Sequence, residues 1–206
     1  RWAYSPSSRT STSMGSLMVG RYNANVQWRL WIWKRGKLIN PRDPAHAAEF
    51  EKLGNKYIYT TMPDIPARGN LAQRLSAAGF FTAATPYAGF NQFFKKGFGF
   101  DTGFDAFEDL TTRKGWHGSP TSQKIAKIAA RQLGPHVKER WFQWIHFYDP
   151  HESGAKPERY PKWVAEWDAG LGKTLRWLER QGVRDRTAIF PVADHGEALG
   201  EHRHRF

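Results

Sequence analysis

Cysteine is absent from the 206 residues, which excludes a disulfide framework, a thiolate metal site and a cysteine nucleophile. Long apolar runs are missing as well. No stretch approaches the roughly 20 residues that cross a bilayer, and the first residues lack the charged and apolar parts of a signal peptide. There is no initiating Met: Arg1 to Pro6 already reads as a turn entering a motif, and His202 to Phe206 stops inside a run of functional-looking side chains. The expectation is therefore a portion of a longer chain, cut at both ends. Acidic residues are scarce, 19 against 31 Lys and Arg, which leaves a formal charge of +12. The basic residues are spread along the chain with only short clusters such as 33–37. They favour anionic partners, whether sulfate or phosphate esters, nucleic acid or an anionic membrane face, without choosing among them. With 40% hydrophobic and 24% charged residues, disorder is excluded and a packed core is expected.

What is present alternates helix and strand. Thr10 to Val19 carries Met14, Leu17 and Met18 at helical spacing, after the turn formers 5–8, and Gly20 closes it. Residues 21–70 are broken by Pro41, Pro44, Pro63 and Pro66 and hold a basic aromatic knot, 28–34, so they read as an elaborated loop region. A helix over 71–78, Gly79 and a strand over 80–84 follow, an order that suits an α/β sandwich. Gly97, Gly99 and Gly103 interleave with Phe98, Phe100 and Phe104 as a loop pinned by aromatic side chains. Ile125, Ile128, Ala129 and Leu133 mark an amphipathic helix over 121–133. Residues 141–147 suit a buried strand. Val164, Trp167, Leu171, Leu175 and Leu178 predict a helix over 161–180, and 187–193 reads as an apolar strand running into Asp194 and His195.

Three segments carry chemistry. Asp194 and His195 are a carboxylate and an imidazole side by side at a strand end, where open α/β sheets place ligands. Both can turn toward one cation, and such oxygen and nitrogen donors suit Zn, Mn, Mg or Ca; the plainer reading is an acidic surface loop. Thr10 sits in a run of Ser and Thr at a helix start, where the helix field and unpaired amides hold an anion and ease alkoxide formation; the plainer reading is a cap. His146 and His151 end the strand over 141–147, where an imidazole can protonate a leaving oxygen or bind an anion. The plainer reading there is a structural histidine, and His151 is the better catalytic candidate.

In this order the segments resemble the sulfatase family of the alkaline-phosphatase superfamily, over nearly the whole chain. Residues 192–202 resemble its late metal motif, in which a strand ends in Asp-His and continues Gly-Glu-x-x-Gly-Glu-His. Residues 146–151 resemble its His-x-x-Asp-Pro-His motif, 103–105 its Gly-Phe-Asp turn, 70–81 its helix and strand before the mid-domain, and 167–179 the long helix before its last metal strand. The nucleophile segment is similar to a form reading Pro-Ser-Ser-x-Thr-x-Pro-Ser, with Thr12 replacing the second Pro. Met14 stands where the maturation motif has Arg, which argues against formylglycine and for an unmodified Thr.

The resemblance implies an alkaline-phosphatase-like three-layer α/β sandwich, its mostly parallel central sheet lying between helices and incomplete within 1–206. It implies a metal-dependent hydrolase of sulfate or phosphate esters with a divalent metal (Ca, Mn, Zn or Mg). Thr10 would be nucleophile and metal ligand, Asp194 and His195 metal ligands, and His151 a substrate or leaving-group contact. His146 is a further catalytic candidate, and His202 and His204 are substrate-side candidates. The family's first acidic ligands belong upstream of Arg1, so this portion alone is expected to bind metal poorly and to be inactive. Glu152 and Ser153 replace the usual Pro-Tyr after Asp-Pro-His. An extracytoplasmic setting, periplasmic or membrane-anchored, follows from the resemblance, with any membrane attachment in segments outside this sequence. A phospho-group transferase to lipid or glycan is the alternative within the superfamily. From another class, an inactive relative or a basic anion or nucleic-acid binder using 28–37 stays open, although no nucleic-acid motif accompanies the charge.

Overall fold

A computed structural model describes residues 4–22, 28–34, 37–39, 44, 58–63, 69–89, 92–111, 115–154 and 156–199. Helix α1 spans Thr10–Val19. Strands β1 (Trp28–Lys34), β2 (Lys37–Ile39) and β3 (Ile58–Pro63) form an antiparallel sheet in the order β2-β1-β3. Helix α2 (Leu71–Ala77) leads into β4 (Phe81–Pro86), and the short β5 (Ala106–Phe107) follows. Helix α3 (Ser122–Leu133), strand β6 (Trp141–His146) and helix α4 (Tyr160–Arg180) complete the described elements. The second sheet, β5-β4-β6, is wholly parallel.

The parallel sheet forms from apolar runs buried on both faces, as parallel strands require. Ala83 and Ala84 of β4 are fully buried, and Thr82 and Thr85 are buried with them. Register runs from Phe81 opposite Trp141 to Pro86 opposite His146. Beyond the strand ends, the aromatic loop fills the core. Phe94 and Phe100 are buried and meet edge to face at 5.0 Å, and Phe94 meets Trp144 in the same way. Each buried ring contributes about 2 kcal/mol through apolar burial. The glycines of that loop supply left-handed turns. At Gly103 (φ 84°) a Cβ would lie 2.4 Å from Gln73 Cγ and 2.7 Å from the Gln73 backbone nitrogen. There the loop presses on the start of α2, where Asn70 and Gln73 form a reciprocal capping box. The Gly-Phe-Asp turn is tied to β4 because Asp105 accepts from the Thr82 backbone N–H and hydroxyl.

Two expectations change. Residues 21–70, read as an elaborated loop region, contain the three strands of the antiparallel sheet. Pro63 ends β3 opposite Trp28 rather than interrupting a ladder, so the proline count misleads there. Residues 187–193, read as a strand, have no ladder partner among the described residues. They run as irregular backbone, with Phe190 82% and Val192 64% exposed. Apolar β-formers make a strand when a neighbouring strand takes up their N–H and C=O groups, and periodicity says nothing about that neighbour.

Helix α4 packs on α3 through its smallest residue. Gly170 is buried, whereas Val164, Trp167, Leu171 and Leu175 of the apolar stripe are half-buried. A Cβ on Gly170 would lie 2.5 Å from Ser122 Cβ and 2.8 Å from the Ser122 carbonyl carbon. Gly172, on the same helix, meets only the tip of the Arg176 side chain at 3.1 Å. Gly170→Ala is expected to destabilise the chain by about 1–3 kcal/mol through overpacking, while Gly172→Ala stabilises by up to about 1 kcal/mol through helix propensity. Urea midpoints check the pair; shifts of the same sign in both variants contradict this account of the contact.

Candidate active site

Helix α1 starts without a side-chain cap. Arg9 is the N-cap in extended backbone (φ −128°, ψ 134°) and makes no side-chain capping bond, and among the described residues no side-chain oxygen bonds the first amides. Thr10, the first helical residue, sends its hydroxyl elsewhere, to within 3.0 Å of His195 Nε2. The cap reading of Thr10 therefore does not describe its side chain. Thr12, which stands where the related motif has Pro, donates to the Arg9 carbonyl at 2.9 Å and meets the Ser7 hydroxyl, so a hydroxyl pair rather than a proline ring stiffens this turn. The first turn of α1 is left with a bare field of N–H groups beside the Thr10 oxygen.

His195 has a defined tautomer. Its Nδ1 lies 2.7 Å from the Gly196 carbonyl, an acceptor with no proton to give, so Nδ1–H is the donor. In the neutral ring the Nε2 lone pair then faces Thr10 Oγ1 and, at 3.4 Å, Asp194 Oδ2. That carboxylate oxygen is buried with no hydrogen-bond partner. The Asp194 backbone is held independently, because its carbonyl accepts from the hydroxyls of both Ser5 and Ser13, themselves 3.0 Å apart. A buried carboxylate oxygen, an imidazole lone pair and a hydroxyl thus converge, and an uncompensated buried charge is costly. These donors fit a divalent cation of the Zn, Mn, Mg or Ca kind, with the Nδ1–H···O=C bond orienting the imidazole as is usual for a ligating histidine. No group of three or more His, Cys, Asp or Glu able to hold a metal occurs among the described residues.

Around this point the walls are aromatic. His146 ends β6 with its ring 4.8 Å from Phe94 and 6.1 Å from Trp144. Burial lowers its pKa to about 4; Asp194 opposes that shift, and His195 and His151 add to it. Tyr87 is pushed up to about 12, first by burial and then by Glu152 and Asp149. Tyr148 is raised further by burial and then by Glu152, Tyr87 and Glu197. Both phenols stay protonated at neutral pH. His151 is exposed, its ring 4.6 Å from that of Tyr148. An open pocket of about 540 Å³ lies beside His195, lined by Ser5, Ser7 and Ser8 on one side and by Gly196, Glu197 and Ala198 on the other.

The fold brings Thr10, Asp194 and His195 together across more than 180 positions of sequence. It places His146 and His151 near enough for their charges to interact. His202 and His204 lie outside the described residues. The sequence reading passed over Ser5 and Ser13 as anchors of Asp194, and Glu197 as a pocket wall. Nothing in a serine-rich run distinguishes a hydroxyl that bonds a distant carbonyl from one that faces water.

A parallel sheet with helices packed on it, and a nucleophile-like hydroxyl beside a carboxylate and an imidazole, define an α/β protein of the alkaline-phosphatase-like class. The family model described as Sulfatase matches residues 2–206, and the chain belongs to the sulfatase family. It is accordingly a sulfatase-like hydrolase in general class, from a family that generally uses a divalent metal. No curated protein and no solved structure matches the chain significantly.

The His146 shift has a sign. The folded chain keeps this ring neutral down to about pH 4, whereas the unfolded chain protonates it near 6.5. Protonation therefore favours unfolding as pH falls through that window. His146→Phe is expected to lose less stability between pH 7 and pH 5 than the parent in metal-free buffer, measured by urea midpoints. Equal losses in both chains would rule out His146 as the source.

Proposed function

We propose that the chain is the catalytic portion of a metal-dependent hydrolase of sulfate or phosphate esters that uses unmodified Thr10 as its nucleophile. The observation that carries this reading is the convergence of the Thr10 hydroxyl on the His195 Nε2 lone pair, 3.0 Å away, beside a buried Asp194 oxygen without a partner.

Asp194 and His195 would hold a divalent cation, which would supply positive charge to favour loss of the Thr10 proton and to offset charge on the ester. The chain's residues do the rest. With its proton passed to solvent, Thr10 Oγ attacks sulfur or phosphorus, its new bond forming as the bond to the ester oxygen breaks. The uncapped first turn of α1 presents N–H groups to the anionic oxygens. His151, exposed on the turn after β6, gives its proton to the departing alcohol. Water then hydrolyses the Thr10 ester, returning the hydroxyl and releasing sulfate or phosphate. The formal charge of +12 draws anionic substrates toward the site at low ionic strength.

Thr10→Ala in the intact, metal-loaded protein is expected to lower turnover of 4-nitrophenyl sulfate, 4-nitrophenyl phosphate or bis(4-nitrophenyl) phosphate by at least about a thousandfold. Thr10→Ser keeps the hydroxyl and retains part of the activity. Mass spectrometry of acid-quenched enzyme should find the ester on the Thr10 peptide. Turnover unchanged by Thr10→Ala sinks the assignment, and turnover that needs a lipid or glycan acceptor in place of water identifies the transferase form.

A further inference from the structure

His151 is carried by a single 3-10 turn, Asp149–Ser153. Its setting is uneven. Asp149 and Ser153 are fully buried and Glu152 nearly so, while His151 is exposed. The turn is built to present one side chain and to sink the rest.

The buried end is fastened to a helix that lies 28 positions earlier. Asp149 Oδ1 accepts from the Thr121 backbone N–H at 2.9 Å and from the Thr121 hydroxyl at 2.5 Å, and Oδ2 accepts from the Ser122 N–H at 2.9 Å. Thr121 is the N-cap of α3, yet its own side chain makes no capping bond. The cap comes from Asp149. A carboxylate at a helix N-terminus with three donors is among the stronger polar contacts a protein makes, because the charge is both hydrogen-bonded and placed in a favourable helix field. The donors cannot drift, since Ser122 is wedged against Gly170 of α4 with no room for a Cβ between them. At its other end the turn is held by Glu152, 3.0 Å from His117 Nδ1, and closed by Gly154 (φ 60°), whose N–H donates to the His151 carbonyl at 3.1 Å.

We infer that Asp149 is a positioning residue for His151: by capping α3 through Thr121 and Ser122 it holds the turn, and with it the imidazole, in place beside Tyr148 at the end of β6. The catalytic consequence rests on the role proposed above for His151; the positioning itself does not. Misplacing an acid by a fraction of an ångström costs rate without weakening substrate binding to match.

Asp149→Asn removes the charge from a fully buried site and can impair folding, so the decisive variant is Thr121→Val, which deletes one donor and leaves both backbone donors. In the intact, metal-loaded protein it is expected to lower kcat about tenfold with KM changed less than about twofold. It should have no further effect in a His151→Ala background, and Thr121→Ser should behave like the parent. His-selective NMR should show the His151 ring resonances of Thr121→Val displaced, with those of His136, remote on the fold, unmoved. An equal loss in both backgrounds, or unmoved His151 resonances, overturns the inference. If His151→Ala alone leaves turnover unchanged, or no substrate is turned over, the proposed role of His151 fails and the ring resonances decide the positioning on their own.

Discussion

Parallel pairing of β4 with β6 organises everything else described in this chain. Because the two strands run the same way in register, their carboxyl ends coincide, with Pro86 opposite His146. The chain leaves both strands at one level, and Tyr87 donates its N–H to the His146 carbonyl at 3.2 Å. The aromatic loop then fills the space beside these ends, with Phe94 against Trp144 and His146. Met14 and Met18 of α1 are buried in the same cluster. Helix α1 is thereby seated with Thr10 facing the 194–199 segment. The nucleophile candidate and the histidines of the β6 end share a neighbourhood because one core supports both.

Two carboxylates in that neighbourhood, one buried and one part-buried, show how the same chemistry is put to different use. Asp149 has every strong donor it needs, from Thr121 and Ser122, and its charge is compensated within the fold. Asp194 has its backbone carbonyl pinned by Ser5 and Ser13, while its Oδ2 has no hydrogen-bond partner among the described residues and lies 3.4 Å from His195 Nε2. The first arrangement fixes a turn. The second sets a carboxylate oxygen beside an imidazole nitrogen. Burial keeps His146 neutral and the Tyr87 and Tyr148 phenols protonated. That divides the site into groups that donate or accept hydrogen bonds and groups that hold charge.

Much of this was legible in residue order. The helices over 10–19, 71–77, 122–133 and 160–180 and the strands over 81–86 and 141–146 follow from apolar spacing and from glycine stops, within a residue or two. Other features were not legible, and for identifiable reasons. Prolines at 41, 44, 63 and 66 suggested an irregular 21–70, yet β1 and β2 precede the first of them and β3 ends at Pro63, where a missing N–H interrupts no ladder. The 187–193 run has the composition of a strand, but the described residues supply no neighbour for its backbone. Gly170 interrupts an apolar stripe on α4 and nonetheless marks the closest helix contact, since absence of a side chain has no periodicity to read.

By itself the sequence determined the class of the protein and its candidate groups. Asp194 and His195 are adjacent in the chain, His146 and His151 share one motif, and Thr10 opens a helix; local chemistry and spacing suffice for such features. Tertiary structure decided which of these groups meet. The Thr10 hydroxyl turning to His195 instead of capping its helix, the Ser5 hydroxyl pinning the Asp194 carbonyl, and Asp149 reaching back to cap α3 all join residues from 27 to 189 positions apart. Contacts at that range depend on how the strands pair and the core packs, and no local pattern encodes them.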